Sequence, residues 1–499
     1  MMKKSTSTLI LLAMLVSLAA CGESSDTSGE TATDTVTTTA ETTSLFESDD
    51  LPADLDLGGK TVHLMIGNYN EAFTYEMYSE EETGNRVNDA IYNSIKRVKE
   101  RLNVELAYTS QNYVWKDMAT FKAGVLSRIM AGDEDMDILF DVENYSLQMQ
   151  DNRYFIDLAD TKYINIDKPW YDSAIIDALP SDYVYCLTGQ FAIANIKHSF
   201  CTYFNSDLYK TLGHTESLYD MVDSGKWTLE TMESLIKDTY VDLNGDTRAD
   251  PSDRYGLTFG DVNKYIGLPT GCDMFMYVKD TNGYKFTFDN EHAVNVMERL
   301  WRLVRENENV HDAGNLGVGT ADDWRIASTG GNYVCKPFVE GNVLFSMALV
   351  GDAGSIVPEV DFTTGLLPIP KYSEVQKYYR TAAQRSCYAL IPVSSADYDS
   401  ASAVMEAISS EFYRTVIPEY FEVTLKTRYS PDENDSRMFD LIAETRVFDV
   451  GDVFSGALDD PLVLYVSIMT KSDPTWASMV AKGKEKWAKA MEDIMAMDW

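Results

Sequence analysis

An acidic segment of twelve residues is the part of the sequence best suited to chemistry. Asp242–Asp253 carries side-chain oxygens at its first, third, fifth, ninth and twelfth positions. An EF-hand-type loop uses this spacing to wrap one hard cation with carboxylates and the backbone carbonyl of the seventh residue. The sequence therefore predicts a calcium site with the ligands Asp242, Asn244, Asp246, the Arg248 carbonyl, Asp250 and Asp253.

This segment departs from the usual calcium loop at several positions. Gly245 stands at the fourth position, and Thr247 takes the sixth, where glycine is usual. The last ligand, Asp253, is shorter than the usual glutamate. An acidic turn without an ion is the alternative interpretation. A bound calcium would stabilise the fold, since no neighbouring residue suggests catalysis.

Motifs of common enzymes are missing from the sequence. It contains no HExxH, GxSxG, P-loop or GxGxxG pattern. Carboxylate pairs such as Asp322-Asp323 or Asp459-Asp460 suit a glycosidase, but 79 acidic residues produce such pairs by chance. The histidines are scattered without metal-ligand spacing: His63, His198, His214, His292 and His311. We predict a protein that is not an enzyme, with a surface glycan-active hydrolase as the alternative.

The N-terminus predicts export and lipid attachment. Residues 1–20 combine Lys3 and Lys4 with a short apolar run, as in a signal peptide. The small residues before Cys21 resemble a bacterial lipobox, which implies lipidation of that cysteine. Residues 21–57 are rich in Thr, Ser and acidic residues, a composition that predicts a disordered tether. The expected location is extracytoplasmic, lipid-anchored to the cell membrane.

Charge and cysteine content exclude several classes of partner and site. The chain of 499 residues has 42 basic and 79 acidic residues, a net charge of −37. Such a charge argues against binding to nucleic acid or to anionic lipid. Beyond Cys21, the cysteines lack CxxC spacing and are expected to be small buried side chains. They are Cys186, Cys201, Cys272, Cys335 and Cys387.

Hydrophobic periodicity indicates the elements that position the polar residues. Strand and helix patterns alternate over residues 61–141, which predicts a parallel sheet with helices on its faces. The predicted strands are Thr61–Gly67, Val104–Tyr108 and Asp137–Asp141, and the predicted helices are Asn85–Leu102 and Met118–Met130. Ligands of such sheets bind at the carboxyl ends of the strands, so Gly67–Asn70 and Asp141–Tyr145 should border a cleft. Further elements are predicted for Trp227–Tyr240 with Thr228 as N-cap, Tyr255–Phe259, Glu291–Glu306 and Ala401–Tyr413.

Four segments in the second half carry a resemblance to one family. They are Thr202–Lys210, Gly225–Glu230, Phe338–Phe345 and Gly365–Lys371. In this order they resemble sequence motifs of the bacterial extracellular solute-binding proteins of family 1. This family is the cluster similar to the maltose-binding protein. The resemblance extends over most of residues 58–499.

The resemblance implies an α/β fold of the type II periplasmic-binding-protein kind, with two discontinuous lobes joined by a hinge. Lobe 1 is expected to contain residues 58–193 and 391–423, and lobe 2 residues 194–390 and 424–499. The chain should cross between lobes near Phe191–Phe200 and Gln384–Pro392. The implied function is that a monomer captures a carbohydrate, with an oligosaccharide expected, for the permease of an ABC importer. A peptide, an anionic sugar or another solute is the alternative cargo.

Sugar binding needs aromatic faces for stacking and polar side chains for hydroxyl groups. Residues that follow the predicted strands or lie at the crossings meet this description. The candidates are Tyr69, Asn70, Asp141, Glu143, Asn144, Tyr145, His198, Asp261, Asn263, Tyr265, Trp324, Asp352 and Arg385.

Overall fold

The computed structural model describes residues 47–70, 76–141, 149, 153–281, 283–313, 320–328, 333–382, 385–421 and 433–497. The chain divides into two units, Met1–Ser48 and Asp49–Trp499, and the fold described below belongs to the second. The predicted signal peptide and Cys21 lie outside the described residues. So do three candidate site residues: Glu143, Asn144 and Tyr145.

The strands are short except for the first two. Their bounds are β1 Lys60–Tyr69, β2 Val104–Tyr113, β3 Ile138–Asp141, β4 Leu187–Thr188, β5 Phe200–Asn205, β6 Tyr255–Phe259, β7 Tyr277–Asp280, β8 Gly283–Phe286, β9 Arg325–Ala327, β10 Tyr333–Cys335, β11 Val343–Leu349, β12 Thr364–Leu367, β13 Thr381–Ala382, β14 Tyr388–Leu390 and β15 Arg446–Val447.

The helices cover the faces of the sheets. Their bounds are α1 Arg86–Leu102, α2 Met118–Met130, α3 Ser173–Ala178, α4 Ala194–Lys197, α5 Ser206–Thr211, α6 Leu218–Asp223, α7 Leu229–Ile236, α8 Gly267–Gly271, α9 Glu291–Arg305, α10 Ala321–Trp324, α11 Lys336–Val339, α12 Ala353–Ile356, α13 Tyr398–Glu411, α14 Ile417–Glu419, α15 Glu433–Glu444, α16 Val450–Val453, α17 Ser455–Leu458, α18 Pro461–Met469 and α19 Trp476–Met495. Within the described part of the chain, no helix has the length and apolar character needed to cross a membrane.

The first sheet has the strand order β2-β1-β3-β14-β4. β1 pairs in parallel with both β2 and β3, which confirms the parallel β-α-β-α-β arrangement predicted from periodicity. β2 is longer than the predicted Val104–Tyr108, because it pairs with β1 along its full length, from Lys60 opposite Val104 to Tyr69 opposite Tyr113. The carboxyl ends of these strands therefore lie at one edge of the sheet.

Local signals explain why α1 forms where periodicity predicts it. The Asn85 side chain accepts hydrogen bonds from the backbone N–H groups of Val87 and Asn88 and thereby caps the helix. Asn103 ends the helix with a left-handed φ of 47°. Ile91, Ile95, Val98 and Leu102 form its buried stripe. α1 thus covers the first sheet with one apolar face.

The second sheet has the strand order β12-β5-β11-β6. β5 runs antiparallel to β11, with Phe200 opposite Leu349. β11 and β6 are parallel, with Met347 opposite Phe259. The start of β5 therefore lies at the same edge as the carboxyl ends of β6 and β11, and the chain enters the second sheet at this edge.

The chain passes twice between the two sheets. Residues 189–199 lead from β4 to β5, and residues 368–387 lead from β12 back to β14. The return is complete at Tyr388, which pairs with Asp141 of β3. β14 therefore belongs with the first sheet, although the predicted boundary places residues up to 390 in lobe 2.

The end of the predicted tether is part of the fold. Leu51 and Leu57 are buried, and the Leu57 N–H donates a hydrogen bond to the Leu102 carbonyl. Arg101 binds the buried Asp49 carboxylate with two hydrogen bonds of 2.6 and 2.7 Å. These contacts offset the acidic composition that made residues 49–57 look disordered.

Other sequence-based expectations have clear outcomes. The five cysteines beyond Cys21 are free and buried, which confirms their interpretation as small core side chains. Thr228 caps α7 by accepting a hydrogen bond from the Thr231 N–H at 3.2 Å. That helix ends at Ile236 and not at Tyr240, because Asp238 adopts a left-handed φ of 58°.

Candidate functional site

The carboxyl edges of the two sheets meet where the chain passes between them. A group of polar and aromatic side chains gathers there, and we call it the edge site. Its members are Tyr69, Tyr113, Asp141, His198, Lys264, Asp352 and Arg385. The structure thus brings together five of the candidate residues from both sheets and both passages.

The first sheet contributes an aromatic pair beside a carboxylate. The Tyr69 and Tyr113 rings pack edge to face with centroids 5.4 Å apart. The Tyr113 Oη donates a 2.5 Å hydrogen bond to the Asp141 Oδ1. A Cβ at position 67 would collide with this carboxylate, so Gly67 leaves the room it needs.

Arg385 joins the aromatic pair from the returning passage. Its guanidinium lies 5.1 Å from the centre of the Tyr69 ring, in cation–π contact. The residue adopts a left-handed φ of 53°, a conformation that is uncommon for a residue with a long side chain. The strained backbone turn therefore points a cation at the edge of the first sheet.

The second sheet contributes a buried ion pair. Lys264 Nζ lies 2.9 Å from Asp352 Oδ2, and both side chains are 2% exposed. Asp352 also accepts hydrogen bonds of 2.8 Å from the Ser328 Oγ and the Leu349 N–H. These added bonds help to offset the cost of removing two charges from water.

His198 lies between the two halves of the edge site. Its Nδ1 is 3.2 Å from the Arg385 carbonyl oxygen. Burial lowers the pKa of His198 well below its ordinary value, and the positive charges of Arg385, Lys197 and Lys264 lower it further. The imidazole is therefore neutral at pH 7 and can serve as a polar uncharged group.

Several charges near the edge site have an opposite charge beside them. Lys197 forms an ion pair with Glu76, as Lys264 does with Asp352. The Arg385 cation and the Asp141 carboxylate offset each other in number. Asp261, buried at the turn that contains Lys264, adds one further carboxylate to this region.

Asn195 ties the two passages together. Its Oδ1 accepts a 2.5 Å hydrogen bond from the Cys387 N–H, and its Nδ2 donates to the carbonyls of Gly189 and Cys387. The Thr188 Oγ1 donates to the same Cys387 carbonyl at 2.7 Å. Arg446, from a third segment of the chain, donates a side-chain hydrogen bond to the Asn195 carbonyl.

The remaining candidates have other surroundings. Asp261 caps the turn that contains Lys264, and the exposed Asn263 supplies the capped N–H. Asn70 follows β1 with a left-handed φ of 53° and donates its backbone N–H to the Tyr113 carbonyl.

Two aromatic candidates are packed inside the protein. Tyr265 is fully buried, and its Oη donates a 2.9 Å hydrogen bond to Asp312. The Trp324 ring is buried against His311, with centroids 3.7 Å apart. Burial lowers the pKa of His311 to about 3, so this pair is an aromatic contact without charge.

Sequence reasoning missed several residues of this region. Lys264 lies between two candidates, Asn263 and Tyr265. A single lysine in a polar segment is usually exposed, so the sequence does not indicate that this one is buried. Tyr113 lies beyond the predicted end of β2. A β2 extended by five residues, from Tyr108 to Tyr113, would have revealed it.

The predicted calcium loop is a series of tight turns. The carboxylates and amide oxygens of Asp242, Asn244 and Asp246 accept hydrogen bonds from backbone N–H groups of the loop. Thr247 has a left-handed φ of 66°, which explains why glycine is usual at this position. Asp253 is buried and accepts hydrogen bonds from the Leu243 and Asp250 N–H groups.

The donor chemistry of the loop suits calcium, although the side chains are not gathered around a point. Its candidate ligands offer only oxygen atoms for binding, as Ca²⁺ prefers. Among the described residues, however, no group of three or more His, Cys, Asp or Glu side chains is arranged to hold a metal. To bind calcium, the carboxylates would therefore have to give up their hydrogen bonds from backbone N–H groups and coordinate the ion instead.

Proteins of solved structure share the architecture described above. An ABC substrate-binding protein from Listeria monocytogenes in complex with cycloalternan matches with a TM-score of 0.53 at 12% identity, over 87% of this chain and 99% of that one. The GacH receptor of Streptomyces glaucescens matches with a TM-score of 0.54 at 12% identity, over 87% and 99%. Apo RafE from Streptococcus pneumoniae matches with a TM-score of 0.52 at 14% identity, over 87% and 98%.

The chain has the two-lobe fold of these binding proteins. This confirms the predicted fold class. The edge site lies where the carboxyl edges of the first and second sheets meet. By sequence alone, no protein-family model and no curated protein matches the chain.

Proposed function

We propose that the protein is the extracytoplasmic receptor of an ABC importer and that it captures an uncharged oligosaccharide at the edge site. The observation that carries this proposal is the position of the edge site, where the carboxyl edges of the two sheets of the shared fold meet. Solved proteins with this fold are described as bound to cycloalternan or acarbose. The protein acts without catalysis, by binding alone.

The chemistry of the edge site supports a sugar as ligand. Tyr69 has an aromatic ring and His198 a neutral imidazole, and both are buried, so a sugar would reach them only when the two sheets move apart. Asp141 and Arg385 provide a charged acceptor and a charged donor, which form the strongest hydrogen bonds. The paired lysines and the additional Asp261 carboxylate disfavour an anionic sugar.

Hinge closure and attachment to the membrane complete the proposal. The lobes close over the ligand by rotation at the two passages, and the closed receptor then delivers the sugar to the permease as a monomer. Lipid on Cys21 holds the protein at the cell membrane. Within the described fold, Arg101 holds the Asp49 carboxylate with two hydrogen bonds.

The first prediction concerns ligand binding. At about 100 times its Kd, a ligand of the folded state adds about 2.7 kcal/mol to the free energy of unfolding. We expect at least one neutral oligosaccharide from a panel with maltose, maltotriose, raffinose and cycloalternan to raise the melting temperature by a few degrees. Calorimetric titration should then give a saturable Kd, and chromatography should recover the sugar unchanged.

A matched variant gives the control for this measurement. Replacing Arg385 with alanine should weaken binding, whereas replacing Lys60, an exposed lysine at the opposite edge of the first sheet, should leave it unchanged. A melting shift from tripeptides and from no sugar would refute the carbohydrate assignment. Release of shorter glycans would instead establish the hydrolase.

We also propose that Asp242–Asp253 binds one calcium ion that stabilises the second lobe. Support comes from the all-oxygen donor set and from the left-handed residue at the sixth position. Asp242, Asn244, Asp246, Asp250, Asp253 and the Arg248 carbonyl would hold the ion. Bound calcium would neutralise the mutual repulsion of four carboxylates within twelve residues.

The second prediction follows from this calcium proposal. Removing calcium with EGTA should lower the melting temperature by a few degrees, because an ion at 100 times its Kd contributes about 2.7 kcal/mol. Asp246→Ala should abolish the response to calcium, while Asp322→Ala, at an exposed carboxylate outside the loop, should preserve it. Equal melting of the wild type with calcium and with EGTA would contradict the proposal.

A further inference from the structure

A short segment at the beginning of the fold is fixed at both of its ends. We call residues 49–58 the strap. Leu51 and Leu57, near the two ends, are buried, whereas residues 52–54 between them are exposed. The Leu55 N–H bonds to the Pro52 carbonyl at 3.1 Å and turns the chain there. The strap therefore consists of two anchored ends and an exposed bridge between them.

Asp49 forms the first anchor, and it joins two helices that are far apart in the sequence. Its fully buried carboxylate accepts hydrogen bonds of 2.6 and 2.7 Å from Arg101 of α1. Its backbone N–H donates a 3.2 Å hydrogen bond to the Oγ of Ser410 in α13, 361 positions along the chain. An arginine that binds a carboxylate through two bonds away from water makes one of the stronger polar contacts in proteins. Asp49 thus links α1 to α13.

Asp50 forms a second anchor on another segment. Its carboxylate accepts hydrogen bonds of 2.9 Å from the Lys168 Nζ and 3.0 Å from the Asn165 Nδ2. The Lys168 side chain is itself buried, and its ammonium lies 5.6 Å from the centre of the buried Trp170 ring. The strap is therefore also bonded to residues 165–168.

The far end of the strap returns to α1. The Leu57 N–H donates a 2.8 Å hydrogen bond to the Leu102 carbonyl, and the Asp56 carboxylate accepts a 2.7 Å hydrogen bond from the Asn103 side chain. α1 and α13 both pack on the first sheet. Within the described part of the chain, the hydrogen bonds and ion pairs that the strap makes to other segments go to α1 with its C-cap, to α13 with its continuation, and to residues 165–168.

We propose that the strap is a clasp that fastens α1, α13 and residues 165–168 to one another and protects these three segments from local opening. Proteins open locally at a lower free energy than they unfold globally, and contacts that join remote segments suppress such openings. The second sheet does not depend on the clasp. The inference goes beyond the proposed function and holds for any ligand. Removal of the predicted tether, residues 21–57, would remove almost the whole clasp with it.

The test is amide hydrogen exchange of the full chain at pH 7, compared between the wild type and the double variant Asp49→Asn, Asp50→Asn. We expect exchange to be at least tenfold faster in the last turns of α1 and α13 and in residues 165–168, because the variant removes the negative charges that Arg101 and Lys168 bind. β5 and β11 of the second sheet should exchange at the wild-type rate. Asp54→Asn, at an exposed carboxylate in the middle of the strap, is the matched control and should behave as the wild type.

A single variant keeps the test decisive if the double variant fails to fold. The Asp50 side chain is 64% exposed, so Asp50→Asn should fold, speed exchange in residues 165–168 and leave α13 unchanged. Equal acceleration in every element would indicate a general loss of stability and would refute the clasp. Unchanged exchange of residues 165–168 in Asp50→Asn would refute it as well. Neither result bears on the receptor function, since the measurement involves no sugar.

Discussion

Replacing Lys264 with methionine should destabilise the protein by about 3–5 kcal/mol, the usual cost of breaking a buried ion pair from one side. The substitution keeps the length of the side chain but leaves the Asp352 carboxylate, 2% exposed, without its cation. Bonds from Ser328 and Leu349 remain but do not supply a counter-charge. Urea unfolding at pH 7.5 should show a large fall in midpoint.

Two further variants identify the cause of this loss. Lys60→Met removes a lysine whose ion pair with Asp397 is largely exposed, and such pairs contribute at most about 1 kcal/mol. The double variant Lys264→Met, Asp352→Asn removes the uncompensated charge and should recover at least half of the loss. Equal effects of Lys264→Met and Lys60→Met would show that the buried pair is unimportant for stability.

The buried histidines His198 and His311 should make the protein more stable as pH rises toward 6.5, whereas Glu406 should make a contribution of the opposite sign between about pH 4.5 and 7. This residue of α13 is fully buried, and its carboxyl accepts a 2.8 Å hydrogen bond from the Tyr171 Oη. Burial raises its pKa from 4.5 to about 7. The folded state therefore keeps a proton that the unfolded state releases, and above pH 7 the cost reaches about 3 kcal/mol.

Glu406→Gln isolates this contribution. The amide stays neutral at every pH, so the variant should be more stable than the wild type at pH 8 and similar to it at pH 4.5. Unfolding midpoints in urea across this range give the measurement. Some slope should remain, since burial also raises the pKa of Asp449 to about 6. Parallel curves for the variant and the wild type would contradict the assignment to Glu406.

Local patterns were sufficient to predict the elements of the fold. Apolar spacing located α1, and the Thr228 cap located the start of α7. The strand predicted at Tyr255–Phe259 forms with those bounds. These features depend on residues within a few positions of one another, so one sequence contains the information.

The contacts within the edge site depend on residues far apart in the chain. Lys264 and Asp352 are 88 positions apart, and nothing near either residue indicates that they pair. Tyr69, Tyr265 and Trp324 have aromatic rings suited to sugar, and all three are buried, but only Tyr69 lies beside Arg385 at the edge site. Side-chain type shows what a residue can bind, whereas only the fold determines whether a ligand can reach it.

The side-chain amide of Asn195 links the two passages, so that they should move together. Because one side chain holds both Gly189 and Cys387, the passages cannot twist separately without breaking buried hydrogen bonds. We expect the two passages to act as one hinge about which the two sheets rotate relative to each other. Under the proposed function, every closure of the lobes over a ligand should then follow the same path.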